Sequence, residues 1–318
     1  MDDTLQLVLF WHYVFVWGNQ MPDRSTESLH PGSVGLHAAA TQDVFVRLLD
    51  AQIAAVGSVR AALPSLEAAA EAGAGALHNG CKLGYAGAGS SGLMAMADCL
   101  ELWGTFGIPV DRTPMLFAGG SAALLHMQGA VEDDPAQALP DIARANLGRG
   151  DLVICVSASG GTPYTLAVAH GAKAAGAGVI ALSNVAGSAL LTMADFPVLL
   201  DTGPEVLAGS TRMGAASAQK VALNMLSVLV GIRLGHVYDG YMVNVVADNA
   251  KLIDRAARIV AAVSLQDLAA SRLALAASGG AVKPAILIAL GASPAQALTR
   301  LKASGGRLSA ALNENLAT

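Results

Sequence analysis

The sequence has few aromatic residues and few charges. Phe, Trp and Tyr make up 4% of its 318 residues, and Asp, Glu, Lys and Arg make up 14%. The core must therefore be built from Ala, Leu, Val and Ile, and the hydrophobic content of 53% indicates that most segments are buried on at least one side. A chain of this length can form one large core or two to three smaller units.

Basic charge, cysteine and metal-ligand clusters are also scarce. With a formal net charge of -5, the chain has no positive field for a phosphate backbone, and we expect no nucleic-acid partner. The three cysteines are not spaced as metal ligands or as a C-x-x-C pair, which indicates free thiols in a reducing cytoplasm. We expect no metal and no cofactor, because no ligand cluster for a metal is present.

The apolar residues 5–17 are too short to span a bilayer and follow two Asp residues rather than a basic start, so we expect no membrane partner. Two interpretations remain open for residues 1–20. They form a packed terminal extension, or they precede a native start at Met21, and we favour the second.

Residues 85–101 read Y-A-G-A-G-S-S-G-L-M-A-M-A-D-C-L-E and follow a short apolar run. This pattern predicts a buried strand, a tight glycine turn and a helix. Free N–H groups and the positive end of the helix dipole meet at such a helix N-terminus. Gly89, Ser90 and Ser91 are therefore candidate ligands of an anion.

Continuous apolar runs at residues 115–118, 152–156, 178–182 and 196–200 alternate with helical patterns. Such runs are typical of parallel strands covered on both faces, so we predict a parallel α/β sheet with helices on both sides. The Gly- and Ser-rich segments after these runs should share the ligand-binding edge of the sheet. Residues 38–77 predict at least two helices interrupted at Pro64, and the chain from Asn249 predicts a small helical domain.

A second turn, S-A-S-G-G-T-P, follows the run at residues 152–156 and carries Ser157, Ser159, Gly160 and Thr162. Two such turns without a P-loop lysine favour a monophosphate held by neutral donors, although ordinary helix capping remains an alternative for either turn. A dinucleotide is disfavoured, because the second apolar run ends in Ala-Gly-Gly without the required acidic residue.

Two carboxylates are candidate catalytic groups. Glu101 lies ten residues past Ser91, about 15 Å along a helix, which is too far for the reacting carbon of a hexose phosphate in one subunit. Three interpretations remain open: the helix bends, Glu101 serves the active site of a neighbouring subunit, or Glu101 is a solvated surface charge. Glu132 lies in Q-G-A-V-E-D-D-P. The alternative to a catalytic role is that this segment is an ordinary loop that ends in a helix cap.

Residues 203–220 read G-P-E-V-L-A-G-S-T-R-M-G-A-A-S-A-Q-K. With this segment the chain resembles the N-acetylmuramic acid 6-phosphate etherases, which are sugar-isomerase-domain (SIS) proteins related to the glucokinase regulatory protein. T-E-S-L-H-P from Thr26, the two turns, A-G-G followed by Glu132, and N-A-K-L near Asn249 also match. The resemblance covers residues 26–312.

The resemblance implies a three-layer, flavodoxin-like SIS domain at residues 81–248. An N-terminal arm with helices would precede it at residues 21–80, and a small helical C-terminal domain would follow at residues 249–318. The resemblance also implies a cytoplasmic homodimer with active sites near the subunit interface.

The resemblance further implies a lyase that removes D-lactate from N-acetylmuramic acid 6-phosphate. Its two catalytic acids fall on Glu101 and Glu132, and the remaining substrate-binding positions fall on Gly89, Ser90, Ser91, Ser157, Ser159, Gly160, Thr162, Glu205, Ser210 and Arg212. In the open-chain sugar the C1 aldehyde acidifies C2–H, so a base and an acid suffice to expel lactate from C3. We assign Glu132 as the base and Glu101 as the acid.

Two alternatives remain open, an aldose–ketose isomerase of sugar phosphates and a non-catalytic sugar-phosphate sensor. The retained pair of acids favours an enzyme. Several positions depart from the family pattern, since Leu93, Gly161 and Gly214 stand where the family has basic residues, and Leu-Trp-Gly at residues 102–104 replaces Cys-Pro-Pro. These departures put the identity of the substrate in doubt.

Overall fold

The computed structural model describes residues 25–127 and 129–313. The expected extension at residues 1–20 and Met21 lie outside this part of the chain. Five strands form a parallel sheet in the order β2-β1-β3-β4-β5. They are β1 Leu83–Gly87, β2 Met115–Phe117, β3 Leu152–Val156, β4 Gly178–Ser183 and β5 Phe196–Leu199, and a separate hairpin pairs β6 Val237–Tyr238 with β7 Tyr241–Met242.

Helices precede the sheet, connect its strands and follow it. They are α1 Thr41–Gly57, α2 Leu63–His78, α3 Gly89–Phe106, α4 Gly120–Leu125, α5 Ala138–Ala145, α6 Pro163–Ala174, α7 Ala189–Met193, α8 Gly214–Arg233, α9 Ala250–Ser264, α10 Leu268–Ala277, α11 Val282–Ala289, α12 Pro294–Ala303 and α13 Leu308–Asn313. The predicted interruption near Pro64 is a 3₁₀ turn at Ser58–Ala62. Pro64 itself lies in the first turn of α2, where its missing N–H costs no helical hydrogen bond.

The sheet is covered on both faces. Ile154 of β3 packs into one apolar cluster with α2, α3 and α8, whereas its neighbours Val153 and Cys155 pack into a second cluster with α5 and α6. Every residue of β1 and β3 is buried. The predicted three-layer α/β fold with a parallel sheet is therefore confirmed.

A third apolar cluster contains only residues from Val243 to Ala311 and is formed mainly by the C-terminal helices. The two Ala-Ser-Gly-Gly segments end α10 and α12. Gly279, Gly280, Gly305 and Gly306 have positive φ angles, as is common just after a helix.

One described helix, α8, is long and apolar enough to cross a bilayer, and the sharply bent pair α9 and α10 passes the same test only if it is counted as one span. Of the most apolar window of α8, 56% is buried inside the protein. Since α8 packs against α1, α2 and α3, we interpret it as a core helix.

Candidate functional site

The two glycine- and serine-rich turns lie side by side. Strands β1 and β3 are neighbours, but the chain continues from β1 to β2 at one end of the strand order and from β3 to β4 toward the other end. At such a reversal of strand order, a crevice opens at the carboxyl ends of the two strands. Gly87, the last residue of β1, is in register with Val156, the last residue of β3. The prediction that both turns share one edge of the sheet is confirmed.

The first turn leaves the start of α3 open. Ala88 is the N-cap residue, and no side chain accepts a hydrogen bond from the first N–H groups of the helix. The hydroxyls of Ser90 and Ser91 make no hydrogen bond to any residue in the described part of the chain. Free N–H groups, free hydroxyls and the positive end of the helix dipole therefore converge at one point.

Glu132 lies against this helix start. A Cβ atom added to Gly89, whose φ is +52°, would lie 2.4 Å from Glu132 Oε1. The glycine is thus required by its backbone conformation and by the carboxylate above it. Burial raises the pKa of the half-buried Glu132, and the adjacent charge of Asp133 raises it further.

The second turn is closed by its own hydrogen bonds. Ser157 Oγ and Thr162 Oγ1 are 2.8 Å apart, and the Gly160 N–H donates to Ser157 Oγ at 3.1 Å. The Gly161 N–H donates to Ser159 Oγ at 3.2 Å. The hydroxyls of this turn therefore hold its shape, although Ser159 and Thr162 remain partly exposed.

The start of α6, after the second turn, is also occupied. Pro163 has no N–H to offer, and the N–H of Tyr164 donates to the backbone carbonyl of Glu132 at 3.1 Å. Glu132 thus contacts both turns, with its side chain at the first and its carbonyl at the second.

The start of α8 is capped by Glu205. This carboxylate is 5% exposed and accepts from the N–H groups of Gly214 at 3.0 Å and Ala215 at 2.8 Å. Of the three helix starts described, only that of α3 is open. Ser210 is partly exposed, and the exposed Arg212 makes no hydrogen bond or ion pair with the described residues.

Glu101 lies far from the first turn within one chain. It is exposed on α3, twelve residues past Gly89, which corresponds to about 18 Å along the helix. The structure therefore brings Glu132 to the first turn but does not bring Glu101 and Glu132 together in one subunit.

Within residues 25–127 and 129–313, no group of three or more His, Cys, Asp or Glu side chains is placed to hold a metal ion. Cys81, Cys99 and Cys155 are free thiols.

Comparisons with known proteins match this geometry to a family. Residues 52–184 match the model of the SIS domain. The chain is 43% identical to the N-acetylmuramic acid 6-phosphate etherase of Deinococcus radiodurans, over 92% of this chain and 96% of that protein. It is 40% identical to the etherase of Rubrobacter xylanophilus, over 91% of this chain and 96% of that protein.

The chain belongs to the N-acetylmuramic acid 6-phosphate etherase family. Among solved structures, it is similar to a phosphoheptose isomerase from Francisella tularensis, with a TM-score of 0.48 and 21% identity over 61% of this chain and 100% of that one.

Two departures from the etherase pattern have different structural settings. A Cβ atom on Gly161 would meet only Ser159 Oγ, at 3.8 Å, so a larger side chain has room there. A Cβ atom on Gly214 would lie 2.9 Å from the Cβ of Ala55 and 3.1 Å from Glu205 Oε2. A larger side chain at this second position, such as the lysine that the family resemblance implies, would not fit without rearrangement.

Asp98 was not predicted to belong to the site. It lies on α3 and is 4% exposed. Its carboxylate accepts hydrogen bonds from Tyr85 at 2.9 Å, Asn224 at 2.7 Å and Ser227 at 2.9 Å. Burial raises the pKa of Asp98, while these hydrogen bonds and the charge of Lys220 oppose the increase. An Asp within an apolar helix was the only signal in the sequence.

Proposed function

We propose that this enzyme cleaves the D-lactyl ether of N-acetylmuramic acid 6-phosphate and releases D-lactate and N-acetylglucosamine 6-phosphate. The observation that carries the proposal is the carboxylate of Glu132 against the open N-terminus of α3. This arrangement places a titratable group beside an anion site. The names of the etherase relatives support the same reaction.

The phosphate binds at the start of α3. The first N–H groups of the helix and the hydroxyls of Ser90 and Ser91 donate to its oxygens, and the helix dipole favours its charge. Ser157 and Thr162 keep the adjacent turn in shape, and Ser159, which is partly exposed, is a further hydroxyl donor.

Glu132 removes the C2 proton of the open-chain sugar. A general base works best when its pKa lies near the working pH, so the raised pKa of Glu132 makes its carboxylate a stronger base. The electron pair released at C2 then forms the C2–C3 double bond as the lactyl oxygen leaves C3. Glu101 donates a proton to the leaving oxygen. Water then adds its hydroxyl group at C3 and gives its proton to Glu101, while the proton held by Glu132 returns to C2.

The second acid comes from a second copy of the chain. Helix α1 has 17 residues, of which only Ala55 is buried, and Phe45, Leu49 and Ile53 form an exposed apolar stripe with a spacing of four residues. Leu100 and Trp103 of α3 are exposed next to Glu101. A homodimer that covers these surfaces would bring Glu101 of one subunit to Glu132 of the other.

The free state of all three cysteines supports a cytoplasmic location for this enzyme, where thiols stay reduced and no disulfide is needed for stability.

Measurement of D-lactate release from N-acetylmuramic acid 6-phosphate tests the proposed reaction. The wild type should produce D-lactate and N-acetylglucosamine 6-phosphate in equal amounts. If it produces none, the etherase proposal is wrong, and an isomerised sugar phosphate as the only product would point to the isomerase alternative.

Complementation tests the shared site. Glu101→Gln and Glu132→Gln should each be inactive, but after mixed refolding or coexpression the heterodimer contains one intact site. Random pairing should restore roughly a quarter of wild-type activity if each site takes one acid from each subunit. Heterodimers that form without any activity would show that the two acids do not act across the interface.

A further inference from the structure

An open cavity lies beside the N-terminal half of α3. It has a volume of about 380 Å³ and lies between α1, α3 and α8. Its lining consists of Val56, Met94, Arg212, Ala216, Ser217, Lys220 and Val221. Met94 follows Ser90 by four residues on the same face of α3, about 6 Å along the helix.

The cavity is positively charged and has an apolar wall. Arg212 and Lys220 are its charged lining residues, and none of the described residues that line it is acidic. Arg212 has no hydrogen bond or ion pair within the described chain, so its guanidinium is available to an incoming anion. Met94, Val56 and Val221 provide the apolar wall.

Lys220 is positioned by a buried network. Its ammonium group donates to Asn224 Oδ1, and the amide group of Asn224 donates to Asp98 Oδ1 at 2.7 Å. Asp98 is also held by Tyr85 and Ser227. A lysine fixed in this way loses less side-chain entropy on binding an anion than a free surface lysine.

We propose that this cavity binds the carboxylate of the D-lactyl group. The inference rests on the proposed function, because a muramic acid 6-phosphate carries two anions and the start of α3 accounts for only one of them. Lys220 and Arg212 donate to the carboxylate, and the lactyl methyl group packs against Met94 and Val56. The cavity would therefore distinguish the substrate from N-acetylglucosamine 6-phosphate, which has the phosphate but no lactyl group.

The phosphate site cannot supply this discrimination. Its donors are backbone N–H groups and serine hydroxyls at a helix start, which would bind the phosphate of either sugar. Leu93 and Gly161, which stand near the two turns, carry no charge. Arg212 and Lys220, which line the cavity together with Met94 of α3, are thus the candidate cations for the second anion.

The test compares two ligands on Lys220→Met. The value of kcat/KM for N-acetylmuramic acid 6-phosphate should fall by about 10- to 100-fold, as expected for the loss of one charged hydrogen bond. The inhibition constant of N-acetylglucosamine 6-phosphate should change by less than about twofold, because that ligand lacks the carboxylate. Lys220→Arg should recover most of the loss, and Lys302→Met, an exposed lysine on α12, is the matched control.

Arg212→Met provides a second variant that leaves the fold intact, since Arg212 is exposed and makes no hydrogen bond or ion pair with the described residues. It should show the same selective loss. An equal loss of affinity for both sugars would mean that the cavity holds the phosphate, and unchanged kinetics in both variants would mean that it holds no part of the substrate. If the wild type is active, either of these results overturns only the proposed role of the cavity. A wild type that releases no D-lactate overturns the proposed function as well.

Discussion

The turn after β1 and the turn after β3 have similar compositions but differ in their hydrogen bonding. Both are rich in Gly and hydroxyl residues, and each precedes a helix. The first has free hydroxyls at Ser90 and Ser91 and an uncapped helix start. In the second, Ser157 and Thr162 bond to each other, and the N–H of Tyr164 is already taken by Glu132. A glycine- and serine-rich turn can therefore bind an anion only where its hydrogen-bond donors are not already used within the protein.

The largest effect should come from the residue that contacts both turns. Glu132→Gln removes the proposed base at the first turn but keeps the backbone carbonyl that the second turn uses. We expect kcat to fall by about 100- to 10,000-fold, the usual contribution of a general base. The affinity for N-acetylglucosamine 6-phosphate should be retained in a calorimetric titration.

The same variant has a predicted effect on stability. Because the folded-state pKa of Glu132 is raised, its ionised form is disfavoured in the folded protein. The neutral Gln should therefore raise the melting temperature at neutral pH, and this gain should vanish as the pH falls below the ordinary Glu value of about 4.3. A lower melting temperature at neutral pH would contradict the assigned burial.

A pair of glycine variants tests how rigid the second turn is. In Gly160→Ala, with φ of +62°, the new Cβ atom would lie 2.2 Å from Ser188 Oγ. We expect a loss of about 2–5 kcal/mol in the free energy of unfolding. Gly161→Ala next to it meets nothing closer than 3.8 Å and should change stability by less than about 0.5 kcal/mol. Equal losses from the two variants in urea denaturation would rule out this packing.

Serine variants test the difference between the turns directly. The double variant Ser90→Ala and Ser91→Ala should weaken binding of N-acetylglucosamine 6-phosphate by about tenfold or more, since two hydrogen bonds to a charged group are lost. Ser157→Ala should instead cost about 1–3 kcal/mol of stability, because it removes the hydrogen bonds of the Ser157 hydroxyl with Thr162 Oγ1 and with the Gly160 N–H. If the two variants gave the opposite pattern, the roles assigned to the turns would be reversed.

The smallest expected effect is a shift of the pH profile. Since Glu132 must be ionised to act as a base, kcat/KM should rise with pH through its raised pKa, above the ordinary Glu value of about 4.3. Asp133 contributes to that increase, so Asp133→Asn should move the acidic limb to lower pH. An acidic limb that does not move would remove Asp133 from the electrostatics of the site.

The sequence predicted the fold well because the fold depends on local patterns. Continuous apolar runs such as residues 152–156 marked the buried parallel strands, and Pro64 marked a helix boundary within a few residues. The family, too, could be identified from the residues around Arg212 together with the two turns.

The contacts and hydrogen bonds within the site could not be predicted in the same way, because they join residues that are distant in the sequence. Nothing near Gly89 indicates that Glu132 lies above it, and the segment around Glu205 does not show that both its oxygens cap α8. The roles of Glu101, Ser210 and Arg212 in catalysis and binding stay predictions.

A crystal structure with N-acetylglucosamine 6-phosphate tests the central claim most directly. We expect a phosphate within hydrogen-bonding distance of the Ser90 and Ser91 hydroxyls and the first N–H groups of α3, with Glu132 beside the sugar. A phosphate bound at the start of α6 or α8, away from Gly89, would contradict it.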